Sequence, residues 1–186
     1  MDKLSIYNRA LGAFDIPPLE VTDLDTNTSR PDMVGVLDLN IGPAIRKASR
    51  EWNWSFLEQP LELGEDKGPK AGYKHSYNLP FGTFKLTHVE GLRYRRIGEH
   101  LLTDGKAEAY GIMEVNIPKR NGSFFVPEGT PDDFWDLVVF ALASFIGPKL
   151  SPGDEMIKVC DFKYRTILQG MIQDECINSS GEYLED

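Results

Sequence analysis

Apolar residues in the first part of the chain recur at intervals of three and four, the spacing of one face of an α-helix. This pattern predicts a short amphipathic helix over residues 3–13 and a longer helix over residues 31–52. Pro43 lies inside the longer helix, where a proline removes one backbone hydrogen bond. We therefore expect a kink or a break around residues 39–43.

Residues 57–117 follow a different pattern, in which apolar and polar positions alternate with a period of about two. Such alternation predicts short β-strands, and the glycine-rich and proline-rich breakers between them leave only short connections. Short connections favour antiparallel pairing, because parallel strands need a crossover of a dozen or more residues. The sequence therefore predicts an antiparallel β-meander, with the polar stretch 64–70 projecting as a mobile hairpin loop.

A strong helix start follows at Thr130, which can cap a helix, because a proline and two aspartates come directly after it. This helix is expected to end at Gly147 and Pro148. From residue 137 to residue 143 it is apolar on every side. A helix of this kind has to be covered on all faces, so we expect it at the centre of the domain or against a neighbouring subunit.

A last helix follows after a short turn and is predicted to be antiparallel to the one before it. Together these elements predict an α+β fold that is mainly helical. It is a bundle of about four helices with a small antiparallel β-meander inserted between the second and third long helices. A single domain is expected over residues 1–186, with a helical part of 1–56 and 130–177, a meander of 57–117 and a mobile acidic tail of 178–186.

The formal net charge of the 186-residue chain is -9. A protein that binds nucleic acid through a broad face needs clustered lysine and arginine residues. The negative net charge therefore argues against nucleic-acid binding of this kind. The nearest approach to such a cluster, at Arg93, Arg95 and Arg96, is better explained as the solvated face of a strand than as a phosphate site. An acidic surface suits a protein past which DNA slides without adhering.

Histidine and cysteine are too scattered to indicate a metal or cofactor site. His75, His88 and His100 fall in none of the spacings that metal sites use, and we expect no cofactor. Cys160 and Cys176 fall in one predicted helix, on the order of 24 Å apart at 1.5 Å per residue, which is too far for a disulfide. Lone thiols, with neither an apolar leader nor a membrane span in the sequence, favour a protein made and kept soluble in a reducing cytoplasm.

Carboxylates such as Glu99, Glu108 and Glu114 are numerous, and two of them on opposite sides of a cleft would form a glycosidase pair. Abundance alone supports nothing, however, and Asp132 and Asp133 have a sufficient structural reason at a helix N-terminus. The chain has no nucleophile elbow, phosphate-cradling loop or dinucleotide fingerprint. We therefore expect no enzymatic activity.

Four short segments, in this order, resemble one known family. They are Leu4-Ser-Ile-Tyr-Asn-Arg-Ala-Leu11, Trp52-x-Trp54-x-Phe56, Gly72-Tyr73-x-x-x-Tyr77-x-Leu79-Pro80 and Pro131-Asp132-Asp133-Phe134. Together they resemble the tail tubular protein A family, the head-to-tail adaptors or gatekeepers of short-tailed bacteriophages. The segments are spread over nearly the whole chain, and none of them is catalytic.

The resemblance implies a structural virion protein. Members of the family assemble as a ring, commonly of twelve copies, which joins the portal to the tail nozzle and lines or seals the channel used in DNA ejection. The implied partners are other copies of the chain, the portal protein, the nozzle protein and genomic DNA that passes without sequence-specific binding, with no membrane involved. The residues expected at the oligomer or portal interface are Trp52, Trp54, Tyr77, Trp135, Val139, Phe140, Tyr183 and Leu184.

Two other functions stay open at this point. A phage-associated cell-wall hydrolase would need an activity that a single carboxylate substitution abolishes. A small cytoplasmic binding or chaperone module would be a monomer or dimer that ignores a portal ring. The chain also departs from the family pattern at Pro43, where a smoother long helix is expected.

Overall fold

The computed structural model describes residues 2–24, 30–90, 93–113, 130–150 and 153–181, without the side chains of residues 178–181. The described residues form four α-helices and small antiparallel sheets, so the predicted class, α+β and mainly helical, is confirmed. The helices are α1 (Lys3–Gly12), α2 (Pro31–Glu51), α3 (Asp132–Leu150) and α4 (Asp154–Gly181). The strands are β1 (Glu58–Pro60), β2 (His75–Asn78), β3 (Thr83–Val89), β4 (Tyr94–Ile97), β5 (His100–Thr103) and β6 (Ala109–Met113).

The chain divides into two compact units. Met1–Trp52 and Val115–Asp186 form what we call the helical unit, and Asn53–Glu114 forms the strand unit. All six described strands lie between α2 and α3 in chain order.

Helix α3 is the centre of the helical unit, where α1, α2 and α4 all pack against it. Its side chains between Phe134 and Ile146 are buried on most sides, and Leu137, Val138 and Leu142 are fully buried. The partly exposed positions Asp136, Phe140 and Ser144 recur every four residues and mark one stripe. The apolar surface of α3 is therefore covered by helices of its own chain, the first of the two arrangements that the sequence allowed.

Helix α1 is fixed to its neighbours by charged and polar contacts around an apolar face. Asp2 caps the helix by accepting a hydrogen bond from the Ser5 amide at 2.7 Å. The Tyr7 hydroxyl donates to Asp38 of α2 at 2.5 Å, and burial raises the pKa of this phenol. Arg9 forms an ion pair with Asp136 of α3 at 2.5 Å. These contacts orient α1 across both α2 and α3.

Neither of two prolines breaks its helix, although a kink or a break was expected at Pro43 and the end of the helix at Pro148. Helix α2 runs unbroken through Pro43, and α3 passes Pro148 and ends at Leu150. Pro43 is exposed, as is Leu39, whose carbonyl loses its helical partner, so water can reach this part of α2. Pro148 lies in the last turn of α3, where few helical bonds remain to be lost.

Helix α4 is longer than predicted. It continues to Gly181, so the first residues assigned to a mobile tail from 178 are helical, while the rest of that tail, 182–186, lies outside the described residues. Helix α4 contains both cysteines, and the structure buries Cys160 and exposes Cys176, with neither of them in a disulfide bond.

The strand unit forms two three-stranded antiparallel sheets, and the prediction of a single meander is wrong. Their strand orders are β1-β6-β3 and β2-β5-β4. Leu101 and Leu102 of β5 are adjacent and both fully buried. Strand β5 therefore lacks the alternation of apolar and polar residues on which the strand prediction depends. Strand β5 pairs with both β2 and β4, so these three strands form a separate sheet, and β1 pairs with β6 instead of β2.

The polar stretch after β1 is not a free hairpin tip. Asp66 accepts hydrogen bonds from the amides of Gly68 and Ser76 at 2.9 and 3.2 Å, and it contacts the His75 ring at 2.5 Å. The Lys67 amide donates to the Ser76 carbonyl at 2.8 Å. The predicted projecting loop therefore lies folded along β2, because one carboxylate satisfies several of its backbone groups.

Candidate interaction surface

A cleft of about 490 Å³ opens on the helical unit along the second half of α2. We call it the α2 cleft, and its lining residues are Pro43, Arg46, Lys47, Arg50, Glu51 and Phe145. Its volume falls in the range in which proteins hold small ligands or inserted side chains. Phe145 belongs to α3, and every other lining residue belongs to α2.

Helical spacing explains why these α2 residues share one face. Pro43, Arg46, Lys47 and Arg50 follow each other at intervals of three, one and three, so they lie on one side over two turns. The intervening Ala44, Ile45 and Ala48 are buried in the core. The amphipathic pattern that attaches α2 to α3 therefore also directs the basic residues outward.

Two aromatic rings support the cleft from below. The Lys47 ammonium lies 4.0 Å from the ring centre of Tyr164 and 5.6 Å from that of Phe145, which are cation–π distances. The Tyr164 hydroxyl donates to Glu51 at 2.9 Å, and burial, followed by this hydrogen bond, raises the pKa of the phenol. Lys47 and Glu51 thus both contact Tyr164 of α4, and Arg46 and Arg50 are exposed at the rim of the cleft.

The cleft has a charge opposite to that of the chain. Three cations and one carboxylate line it, in a protein whose formal net charge is -9. An arginine pair one turn apart can take carboxylates in bidentate geometry, and Phe145 and Pro43 add apolar wall. The arrangement suits a ligand that combines acidic and apolar groups.

The predicted interface residues do not form one surface. Trp135 and Val139 are buried in the helical unit, and Trp54 and Tyr77 are buried in the folded chain at 0% and 8% exposure. Phe140 is half-buried, with the Lys163 ammonium 5.3 Å from its ring centre. Trp52 is 36% exposed, while Tyr183 and Leu184 lie outside the described residues.

Other large apolar side chains are more exposed than the predicted ones. Phe162 on α4 and Leu39 on α2 are 70% and 73% exposed, and Phe81 in the strand unit is 97% exposed. Phe81 stands on a turn in which the Thr83 amide donates to the Pro80 carbonyl at 3.1 Å. Gly82 supplies the positive φ of 82° that this turn requires. Phe81 is therefore displayed on a structured turn.

The other titratable groups in the described part of the chain do not indicate a metal site. Among the described residues, no group of three histidine, cysteine or carboxylate side chains is arranged to hold a metal ion. Asp66 and His75 form one hydrogen-bonded acid–base pair, and the hydrogen bond from His75 lowers the pKa of Asp66 to about 2. Burial raises the pKa of the Cys160 thiol, which disfavours the reactive thiolate.

The basic cleft was missed at the level of sequence, where its residues suggest an ordinary solvated helix face. The signal that was present is the spacing of Arg46, Lys47 and Arg50 in a strongly acidic chain. The aromatic support was not visible, because Phe145 and Tyr164 are about a hundred residues away and meet α2 only in the folded helical unit.

Comparison with known proteins adds no assignment, since neither a family model nor a curated protein matches the sequence. None of the described helices combines the length with the apolar composition that a membrane span requires.

Proposed function

We propose that the protein is a structural component of a short-tailed phage particle, a ring-forming head-to-tail adaptor without enzymatic activity. In this role it is made in the bacterial cytoplasm and resides in the virion tail, between the portal and the nozzle. A ring of twelve copies would line or seal the channel through which DNA leaves.

The observation that supports this proposal most directly is where the four family-like segments fall in the fold. In the first segment, Ile6, Tyr7, Ala10 and Leu11 are all fully buried. Phe134, which ends the last segment, is 2% exposed at the start of the central helix. The residues that carry the resemblance therefore include core residues of the fold. The resemblance implies a mainly helical protein with a smaller strand unit.

The fold changes the argument for assembly. Because α3 is covered by its own chain, its apolar surface no longer requires a neighbouring subunit. Assembly has to use other surfaces, and the α2 cleft and the exposed Phe162 are the candidates in the helical unit. The acidic balance is compatible with a channel wall, since like charge disfavours adhesion of passing DNA.

The test is electron microscopy of the purified protein mixed with the portal ring of its phage. We expect an added ring of density on one face of the portal, and no such ring on a portal from an unrelated phage. A protein that stays monomeric or dimeric beside its portal would overturn the proposal. The same preparation should bind duplex DNA weakly even at low salt, because few phosphates are neutralised.

A further inference from the structure

The α2 cleft has a complementary sequence within the same chain. Residues 182–186, directly after α4, read Glu-Tyr-Leu-Glu-Asp and place three carboxylates around Tyr183 and Leu184. The cleft offers three cations around an apolar wall that includes Phe145. Acidic groups can pair with the arginines at the rim, while the two apolar side chains can pack against Phe145 and Pro43.

The dimensions of the segment and the cleft also agree. From Pro43 to Glu51 the cleft follows α2 for about 12 Å at 1.5 Å per residue. A five-residue segment in extended conformation spans about 14 Å from its first residue to its last. The segment can therefore lie along the cleft with its carboxylates distributed over both arginines.

The cleft cannot take the segment of its own chain. Tyr164, which donates to Glu51, marks the level of the cleft on α4. Gly181 lies about 26 Å further along the helix axis at 1.5 Å per residue. Residues 182–186 reach back at most about 17 Å even when fully extended. The occupant has to come from a second copy.

We infer that residues 182–186 of one copy dock in the α2 cleft of the next copy. The two surfaces are different, so the contact is heterologous and repeats from copy to copy, which closes a ring when the rotation allows. The inference names the subunit contact of the proposed adaptor ring and rests on that function, but its test needs no portal.

The experiment measures self-association of the full chain by sedimentation velocity at low and moderate salt. One variant reverses the rim charges, Arg46→Glu with Arg50→Glu, and a second reverses the segment, Glu182→Lys with Glu185→Lys. We expect each variant to associate at least about tenfold more weakly than the native chain, because like charges then face each other. The chain that carries all four substitutions should recover association.

A matched control carries Arg95→Glu with Arg165→Glu, which makes the same change in net charge at exposed positions that are not among the residues lining the cleft. It should associate as the native chain does. Arg46→Gln with Arg50→Gln, checked for native helical content by circular dichroism, keeps the test valid if charge reversal disturbs α2.

Three results would overturn the docking: a native chain that stays monomeric, equal weakening by the control, or no recovery in the fourfold variant. A chain that passes these tests but forms no ring on the portal would contradict the adaptor function alone. A cleft variant that self-associates normally and still forms rings on the portal would contradict only the inferred docking of residues 182–186 in the α2 cleft.

Discussion

The helical unit and the strand unit are held together in different ways. In the helical unit one helix, α3, is buried among three others, and apolar contacts dominate. The strand unit has an apolar core of its own, which includes Leu61, Tyr77 and Leu101, but its sheets are small and polar side chains add contacts between backbone groups. Arg96, for example, donates to the carbonyls of Thr83, Phe84 and Gly98. We therefore expect the helical unit to be most sensitive to substitutions in its core, and the strand unit to be sensitive to single backbone and polar contacts as well as to its core.

The largest expected effect is that of Val139→Asp, a charge placed in the centre of the helical unit. Val139 is 2% exposed on α3, so the carboxylate would be buried without a partner. We expect a loss of at least about 4 kcal/mol in the free energy of unfolding, a large part of the stability of a typical domain. Urea titration followed by circular dichroism at 222 nm, about where helical signal is strongest, measures this.

Val159→Asp is the matched control, because Val159 is 41% exposed on α4. It should change stability by no more than about 0.5 kcal/mol. If Val139→Asp unfolds no more easily than the control, α3 is not the buried centre of this unit. A failure of Val139→Asp to assemble, taken alone, would report misfolding and not a lost subunit contact.

The second prediction tests backbone contact in the strand unit. Gly111 lies in β6, the middle strand of its sheet, and a Cβ there would overlap the Lys85 carbonyl and crowd Leu61. We expect Gly111→Ala to lower the free energy of unfolding by about 1–3 kcal/mol, because β3 and β6 would have to separate. Amide hydrogen exchange should show lost protection in these strands, with the helical unit unchanged.

Gly170→Ala provides the comparison, since nothing lies within 4 Å of a Cβ at this position of α4. Alanine in an open helical position should stabilise by up to about 1 kcal/mol. Equal effects of the two substitutions would show that Gly111 is not closely packed.

The two units also differ in how far the sequence predicts them. The boundaries of α1 and α2 and the start of α3 follow from helical spacing, caps and prolines, signals that lie within a few residues. The pairing of strands in the strand unit does not follow, because pairing depends on partners distant in sequence. Tyr77 of β2, for example, pairs with Leu101 of β5, and Gln59 of β1 pairs with Gly111 of β6.

The candidate surface was the least predictable part. Aromatic residues such as Trp54 and Trp135 were expected at an interface, but burying their large area stabilises the fold of the chain itself. Basic residues on α2 were interpreted as a solvated face, since no local signal indicates that Phe145 and Tyr164 lie beneath Lys47. A cleft that is lined by two helices and supported by a third has no signature in any one of them.

The smallest expected effect concerns one carboxylate of the strand unit, Asp66. Its pKa is lowered to about 2, first by the hydrogen bond from His75 and then by the Gly68 amide, against an ordinary value of 3.8. Because the pKa in the folded state is the lower one, the carboxylate stabilises the fold above pH 3.8, and that contribution is lost as the pH falls from 3.8 through 2. Asp66→Asn should therefore weaken the strand unit at neutral pH and have less effect at the acid end.

The measurement compares urea midpoints of the native chain and Asp66→Asn at neutral pH and near pH 2, with hydrogen exchange of the Gly68 and Ser76 amides as a local readout. The difference in urea midpoint between the two proteins should shrink on acidification, because Asp66 then loses its charge. The other carboxylates titrate in both proteins alike, so their effects cancel in the comparison. Glu65→Gln removes a neighbouring exposed carboxylate and should show a smaller difference at neutral pH. A difference between the native chain and Asp66→Asn that stays constant with pH would mean that the charge of Asp66 does not hold this loop on β2, and that the strand unit depends on its apolar core more than on this carboxylate.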